Sequence, residues 1–318
     1  MKEAISIHNL SKRYGDFNLD NFSLEVPPGH VAGLVGSNGA GKTTVIKSLF
    51  AAYKPETGSV RVFGQPMSFG AEVHSSLKAR MGFVFDTAPY GPIKVSAVEA
   101  IGRANYTNFD VKRFQDEIAA AGIDRDAKSN KLSRGMSMRL QLAFAFAHNP
   151  DILILDEPTA GLDPMASQDV LEMFRTFMDD PQHTILISSH DTQDLEAIVD
   201  TVTCIHEGKT VFSETLDYLQ THYGIVQLPK KEAALVVQQI RETQAVQREL
   251  IGGNRKKEVK DTTEKKGNSL EVYTENHALN TTVLVTNIVA AERIVGTRVT
   301  FERPHIDQIM NLMIRGRK

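Results

Sequence analysis

Three glycines, a lysine and two hydroxyls stand close together in Gly36-Ser37-Asn38-Gly39-Ala40-Gly41-Lys42-Thr43. The run follows the apolar stretch Val31-Ala32-Gly33-Leu34-Val35 and opens a segment, Thr43 to Ala52, with helical pattern. A buried strand, a glycine loop and a helix in that order constrain the fold strongly, because they describe one turn in an α/β sheet. Glycine lets the backbone close tightly without a Cβ. The N–H groups at the start of the helix then face an anion, and the helix dipole favours one there. Lys42 supplies a point charge for phosphate oxygens, and the Thr43 hydroxyl is a hard ligand suited to Mg²⁺. Gly36 to Thr44, with Ser37, Asn38, Gly39, Ala40, Gly41, Lys42 and Thr43 between, is therefore the expected nucleotide-binding loop.

Far downstream, Ile152-Leu153-Ile154-Leu155-Asp156-Glu157 is an apolar run ending in two acids. A buried strand that ends in this way beside a phosphate loop points to metal and water. Asp156 is expected to hold Mg²⁺ with Thr43. Glu157 is expected to polarise the attacking water as a general base. A helix around 166–178 and a second apolar strand, Thr184 to Ser188, give a βαβ rhythm and hence a mostly parallel sheet. Before the acid pair, Leu132-Ser133-Arg134-Gly135-Met136 precedes the apolar run Arg139–Ala147. Alone, that pentapeptide is an ordinary helix start with Ser133 as its cap.

Together with Leu155-Asp156-Glu157-Pro158-Thr159-Ala160-Gly161-Leu162-Asp163-Pro164, these motifs resemble the nucleotide-binding subunit of ABC transporters over about residues 1–220. The resemblance implies a P-loop NTPase fold. Its parts are a mostly parallel sheet, an antiparallel β subdomain and a helical subdomain at about 88–148, within an ATPase domain spanning 1–222. It also implies that Ser133, Arg134, Gly135 and Met136 act in trans, capping the γ-phosphate of ATP bound to the opposite subunit. His190 becomes the switch histidine contacting the γ-phosphate, catalytic together with Glu157, Tyr14 a stacking platform for adenine, and Asp163 a dimer-interface residue. Asp86 stands where the family usually has a glutamine, and is expected to ligate Mg²⁺. Arg134 replaces a glycine and Met136 a glutamine; this variant resembles bacterial exporter subunits for drugs or peptides. The expected activity is ATP hydrolysis that powers a separate transmembrane permease. The expected partners are a second copy or a paralogous ATPase subunit, and that permease, with ATP and Mg²⁺ as cofactors. Two other roles in the superfamily fit less well. Soluble translation-control ATPases carry two cassettes, and one glycine loop is present here. DNA-repair ATPases need a long coiled coil between the phosphate motifs, and residues 43–151 show no sustained heptads.

Composition narrows the setting. The 318 residues are 41% hydrophobic and 24% charged with a net charge of −3, which gives no general basic face for nucleic acid. One cysteine, Cys204, excludes an internal disulfide and suits a small core residue. Neither a signal peptide nor a membrane-length apolar run is apparent, so the expected location is the cytoplasmic face of the membrane, held through the permease. Residues 223–318 are expected to form a small α+β appendix. Its expected elements are a helix over Lys230–Leu250, an exposed charged loop or hairpin over 252–268, strands at Leu270–Tyr273 and Arg298–Glu302, and a helix at Ile306–Ile314. His277 and His305 are expected on exposed or packing surfaces.

Overall fold

The structure, a computed structural model, describes residues 3–67, 75–252 and 270–316. The charged run expected as a loop over 252–268 lies, beyond Gly252, outside the described residues. The chain forms two compact units, Met1–Ser213 and Glu214–Lys318.

The first unit begins with β1 (Ile5–Tyr14), β2 (Phe17–Val26), β3 (Val31–Val35), α1 (Lys42–Leu49), β4 (Thr57–Val62) and β5 (Gln65–Pro66). Then come α2 (Ser75–Lys78), β6 (Met81–Val84), α3 (Val95–Asn105), α4 (Val111–Ala120) and α5 (Arg134–Ala147). It continues through β7 (Ile152–Asp156), α6 (Pro164–Phe177), β8 (Thr184–Ser189) and β9 (Thr201–His206) into β10 (Lys209–Thr215). Helix α1 stops at Leu49 rather than running to Ala52, because Ala51 turns left-handed at φ 58.

A six-stranded sheet runs in the order β10-β9-β3-β8-β7-β6, and β9, β3, β8, β7 and β6 are parallel. All five residues of β3 and of β7, and all six of β8, are buried. That explains their continuous apolar sequence, since a parallel sheet is covered on both faces. A second sheet, β2-β1-β4-β5, is antiparallel and alternates buried with exposed positions along β2. The two sheets share a core that includes Ile5, Ile7, Phe22, Leu34, Val45, Ile46, Ile154 and Leu186. Cys204 is fully buried in β9, where desolvation pushes its thiol up to about 12.

Helices α3, α4 and α5 enclose a separate apolar cluster built on Val95, Val98, Phe114, Ile118, Leu140 and Ala143. The Asp110 side chain caps α4 by accepting from the Arg113 N–H. Glu99, 5% exposed on α3, accepts hydrogen bonds from Gln115 and Arg125, so its charge is paired.

The second unit contains α7 (Leu216–His222), β11 (Gly224–Pro229), α8 (Lys230–Gly252), β12 (Val272–Asn276), β13 (Asn280–Val285), α9 (Ile288–Val295) and α10 (Ile306–Arg315). Its antiparallel sheet has the order β11-β13-β12. The core joins Leu228, Val237, Ile240, Val283, Val285 and Ala291. Arg298–Glu302 is not a strand: Val299 and Phe301 are buried in that core, but pairing is limited to the Glu302–Ile225 bridge. His305 caps α10 and His277 lies 2.8 Å from the Thr282 hydroxyl, both at exposed positions.

His148, directly after α5, ties the helical cluster to the parallel sheet. Its Nδ1 lies 3.2 Å from the Phe144 carbonyl and its Nε2 3.2 Å from the Met81 carbonyl. Its ring stacks on Tyr106 at 4.2 Å. Burial holds the imidazole below its usual value, against the opposing pull of the two carbonyls. The unfolded chain therefore takes up a proton near the ordinary value of 6.5, at a pH where the folded chain still resists it. The stabilising contribution is present above that pH and is lost as pH falls through the depressed folded value. Urea unfolding followed from about pH 7 to pH 5 should show a shallower decline for His148→Asn than for the wild type. An equal decline would contradict this role.

Candidate functional site

The C-terminal ends of β3, β7 and β8 meet at one edge of the parallel sheet, where ligands bind in open α/β folds. In-register pairing sets Val35 beside Ser189 and Asp156 beside Ser188. A cleft of about 470 Å³ opens there, lined by Phe17, the loop from Ser37 to Thr44, Asp86, Asp156 and Glu157.

The loop geometry requires glycine at two places in particular. A Cβ at Gly36 would fall 2.2 Å from the Ile205 carbonyl oxygen. Gly41 has φ +118, and its Cβ would fall 2.9 Å from the Phe17 ring. Lys42, 5% exposed, turns back over the loop. Its Nζ donates to the carbonyls of Gly36 at 2.7 Å and Ser37 at 3.3 Å, and sits 3.0 Å from Glu157 Oε1. Thr43 Oγ1 donates to Asp156 Oδ2 at 3.0 Å. The other Asp156 oxygen accepts from Ser188 Oγ at 2.6 Å.

Glu157 adopts the left-handed region at φ 53. That conformation costs a non-glycine residue about 1–3 kcal/mol. Its N–H is held by the Ser188 carbonyl at 3.2 Å and the Ser188 hydroxyl at 3.1 Å. Thus pinned, the backbone aims the carboxylate at Lys42 and at His190, whose Nδ1 lies 2.7 Å from Oε2 and whose N–H donates to the same oxygen at 3.2 Å. Burial alone would raise the Glu157 carboxyl, but hydrogen bonds from Lys42 and His190 and their charge outweigh it and hold the group below the usual carboxylate range. Glu157 is therefore ionised at neutral pH.

Apart from Asp86, which lines the cleft, the remaining expected residues fall elsewhere. Tyr14 ends β1, 45% exposed, edge-on to Tyr53 at 5.7 Å, with Lys12 Nζ 5.3 Å from its ring. Phe17, which carried no motif signal, lines the cleft, and Tyr14 is not among the lining residues. Ser133 is exposed and caps α5 by accepting from the Met136 N–H at 3.2 Å. Ser133, Gly135 and Met136 are likewise not among the residues lining their own chain's cleft. Asp163 caps α6 by accepting from the N–H groups of Met165 and Ala166, and the neighbouring Met165 is 76% exposed. Arg134 and Asp86 form an ion pair at 2.5 Å within the chain. Ser188, which binds both acids of the pair, also carried no motif signal. Among the described residues no cluster of three or more His, Cys, Asp or Glu suited to hold a metal ion occurs.

A glycine loop at a helix start, a lysine, a hydroxyl–carboxylate contact and a pinned second acid define a P-loop nucleoside triphosphatase. Residues 19–160 match the family described as ABC transporter. The bacitracin transport ATP-binding protein BcrA of Bacillus licheniformis is 32% identical over 244 residues, covering 74% of this chain and 79% of that protein. The Nod factor export ATP-binding protein I of Paraburkholderia xenovorans (strain LB400) is 33% identical over 215 residues, covering 65% of this chain and 69% of that protein. Among solved structures, cbiO1 from Clostridium perfringens, part of the ABC transporter complex cbiONQ, is similar at 25% identity. It has a TM-score of 0.58 and covers 68% of this chain and 90% of that one. The dimeric bacterial ABC transporter cassette MJ0796 shares the fold at a TM-score of 0.60 and 23% identity, covering 67% of this chain and 98% of that one. The chain belongs to the ABC transporter ATP-binding family, and is an ATP-binding, ATP-hydrolysing subunit of a transporter.

Ser188→Ala removes a buried partner of Asp156 and of the Glu157 N–H. It should lower stability by about 1–3 kcal/mol, the cost of leaving the buried Asp156 Oδ1 unpaired, while the Ser188 carbonyl still holds the Glu157 N–H. Denaturant unfolding measures this, and an unchanged midpoint would contradict the bridging role.

Proposed function

We propose that this chain binds Mg-ATP in the cleft, pairs with a second copy or a paralogous ATPase subunit, and powers a separate membrane permease for export. The supporting observation is the meeting of Lys42, Thr43, Asp156 and Glu157 at the end of the parallel sheet. The Thr43 hydroxyl and Asp156 carboxylate are hard oxygen donors of the kind Mg²⁺ takes, with the nucleotide's phosphates and water completing its shell. The metal, when bound, would neutralise phosphate charge.

In this reading Lys42 exchanges the Gly36 and Ser37 carbonyls and Glu157 for the phosphates, toward which the loop N–H groups also point. Glu157, ionised and backbone-fixed, orients the attacking water and takes its proton. His190, hydrogen-bonded to Glu157, keeps that carboxylate in place. Phe17 offers an apolar wall to the nucleotide, and Tyr14 lies on the adjoining strand end. A hydroxyl that accepts at a helix cap still has a proton to donate. Ser133 can thus cap α5 and face the phosphate of a partner's ATP, with Gly135 and Met136 beside it. The exposed Asp163 and Met165 suit the same interface.

Among the described residues, no helix is long and apolar enough to cross a membrane, which supports a separate permease. A location at the cytoplasmic face of the membrane follows from that partnership. Bacitracin and Nod factor export relatives favour export. Among the described residues, those lining the cleft all belong to the first unit, and the second is proposed as an accessory domain.

Glu157→Gln should bind Mg-ATP normally yet lose about 10²–10⁴-fold in turnover, as expected for lost general-base catalysis. Calorimetric titration and a phosphate-release assay measure the two quantities. Wild-type turnover in this variant would overturn the assignment. Lys42→Ala should weaken Mg-ATP binding while leaving the thermal midpoint near that of the wild type, and unchanged affinity would contradict its placement against phosphate.

A further inference from the structure

Positions 134, 141 and 148 lie seven residues apart, nearly two helical turns, and so recur on one face of the segment formed by α5 and its C-cap. Each touches β6 or one of the two residues that follow it. His148 Nε2 lies 3.2 Å from the Met81 carbonyl at one end. Gln141, 2% exposed, clamps Phe85 from both sides: its Nε2 donates to the Phe85 carbonyl and its Oε1 accepts from the Phe85 N–H, each at 3.0 Å. Arg134 Nη2 donates to Asp86 Oδ1 at 2.5 Å at the other end. Its guanidinium also lies along the loop after β7, since a Cβ at Gly161 would fall 3.1 Å from Arg134 Nε.

Asp86 sits at the acid end of the cleft. Strand β6 pairs with β7 so that Val84 lies beside Leu155, and Asp86 and Glu157 each follow two residues after that pair. Both line the cleft. An unneutralised carboxylate there would repel a terminal phosphate. The Nη2 proton that Arg134 gives to Asp86 is, in turn, not available to the nucleotide of a second chain.

We propose that Arg134 is a positioning residue acting within its own chain, where it neutralises Asp86 beside the terminal-phosphate end of the cleft. With the Gln141 clamp on Phe85, it ties that end to the exposed start of α5. The unusual acid and the unusual arginine are then one matched pair. Through them, a chain's own phosphate end and the helix start offered to its partner share a single joint. This rests on the reading of the cleft as an ATP site.

The test is a double-mutant cycle in nucleotide affinity, read by calorimetric titration with Mg-ATP and with Mg-ADP. Arg134→Gln should weaken Mg-ATP by about tenfold, the size of effect a unit charge exerts over several ångströms near a protein surface. Mg-ADP, which lacks the terminal phosphate, should change by less than about twofold in the same comparison. Adding Asp86→Asn to Arg134→Gln should restore most of the ATP affinity, because the repelling charge is gone. Arg134→Lys, which keeps the charge, should remain close to wild type. If Arg134→Gln does not fold, the charge-reversed pair Asp86→Arg with Arg134→Asp, set against Asp86→Arg alone, gives the same reading through recovery of ATP affinity. Losses that add independently, or that are equal for ATP and ADP, would overturn the pair. Wild-type binding of Mg-ATP that disappears in Lys42→Ala keeps the ATP-site reading standing in that case. Failure of the wild type to bind Mg-ATP overturns both.

Discussion

Parallel, in-register pairing of β3, β8 and β7 decides where Lys42, Asp156, Glu157 and His190 lie. Val35 beside Ser189 and Asp156 beside Ser188 bring three strand ends level. The glycine loop leaves one end, the acid pair another and His190 the third. Because these strands are buried along their whole length, a slip by one residue would break ladder bonds and core packing together. The site inherits its precision from strands that are buried along their whole length.

Charge then organises the cleft. Lys42 and Glu157 are both largely buried, and each answers part of the other's charge, with His190 on the far side of the carboxylate. This arrangement is self-satisfied but replaceable. Phosphates offer Lys42 stronger charge-assisted bonds than the carbonyls it holds. Glu157 keeps two hydrogen bonds from His190 when Lys42 changes partner, and Ser188 holds its backbone in a left-handed conformation. One member of the pair is built to change partners and the other to stay.

Much of this was legible in the sequence, for definite reasons. The glycine loop, Asp156 and Glu157 are recorded locally as short motifs at strand ends, which parallel strands bring together, whereas His190 stood out only through the family resemblance. Continuous apolar runs in β3, β7 and β8 announced a sheet covered on both faces. What was hidden depends on contacts distant in the chain. Ser188 and Asp156 are adjacent only through strand pairing, and Gln141 meets Phe85 across 56 positions. The cleft wall at Phe17 was hidden because a phenylalanine at a strand start looks like any core residue. Val299 and Phe301 alternate as a strand would, yet their side chains fill the second unit's core without a ladder. In β13, threonines dilute the apolar signal of a central strand that is paired on both sides.

The central claim is that one chain holds only part of a hydrolytic site and a partner's α5 completes it. Sedimentation equilibrium of the Glu157→Gln chain, with and without Mg-ATP, tests this most directly. The account predicts a monomer without nucleotide and a two-chain species holding two ATP molecules with it, a species lost when Ser133→Arg is added. A Glu157→Gln chain that stays monomeric at saturating Mg-ATP, while the wild-type chain hydrolyses ATP at a rate per molecule independent of its concentration, would contradict it.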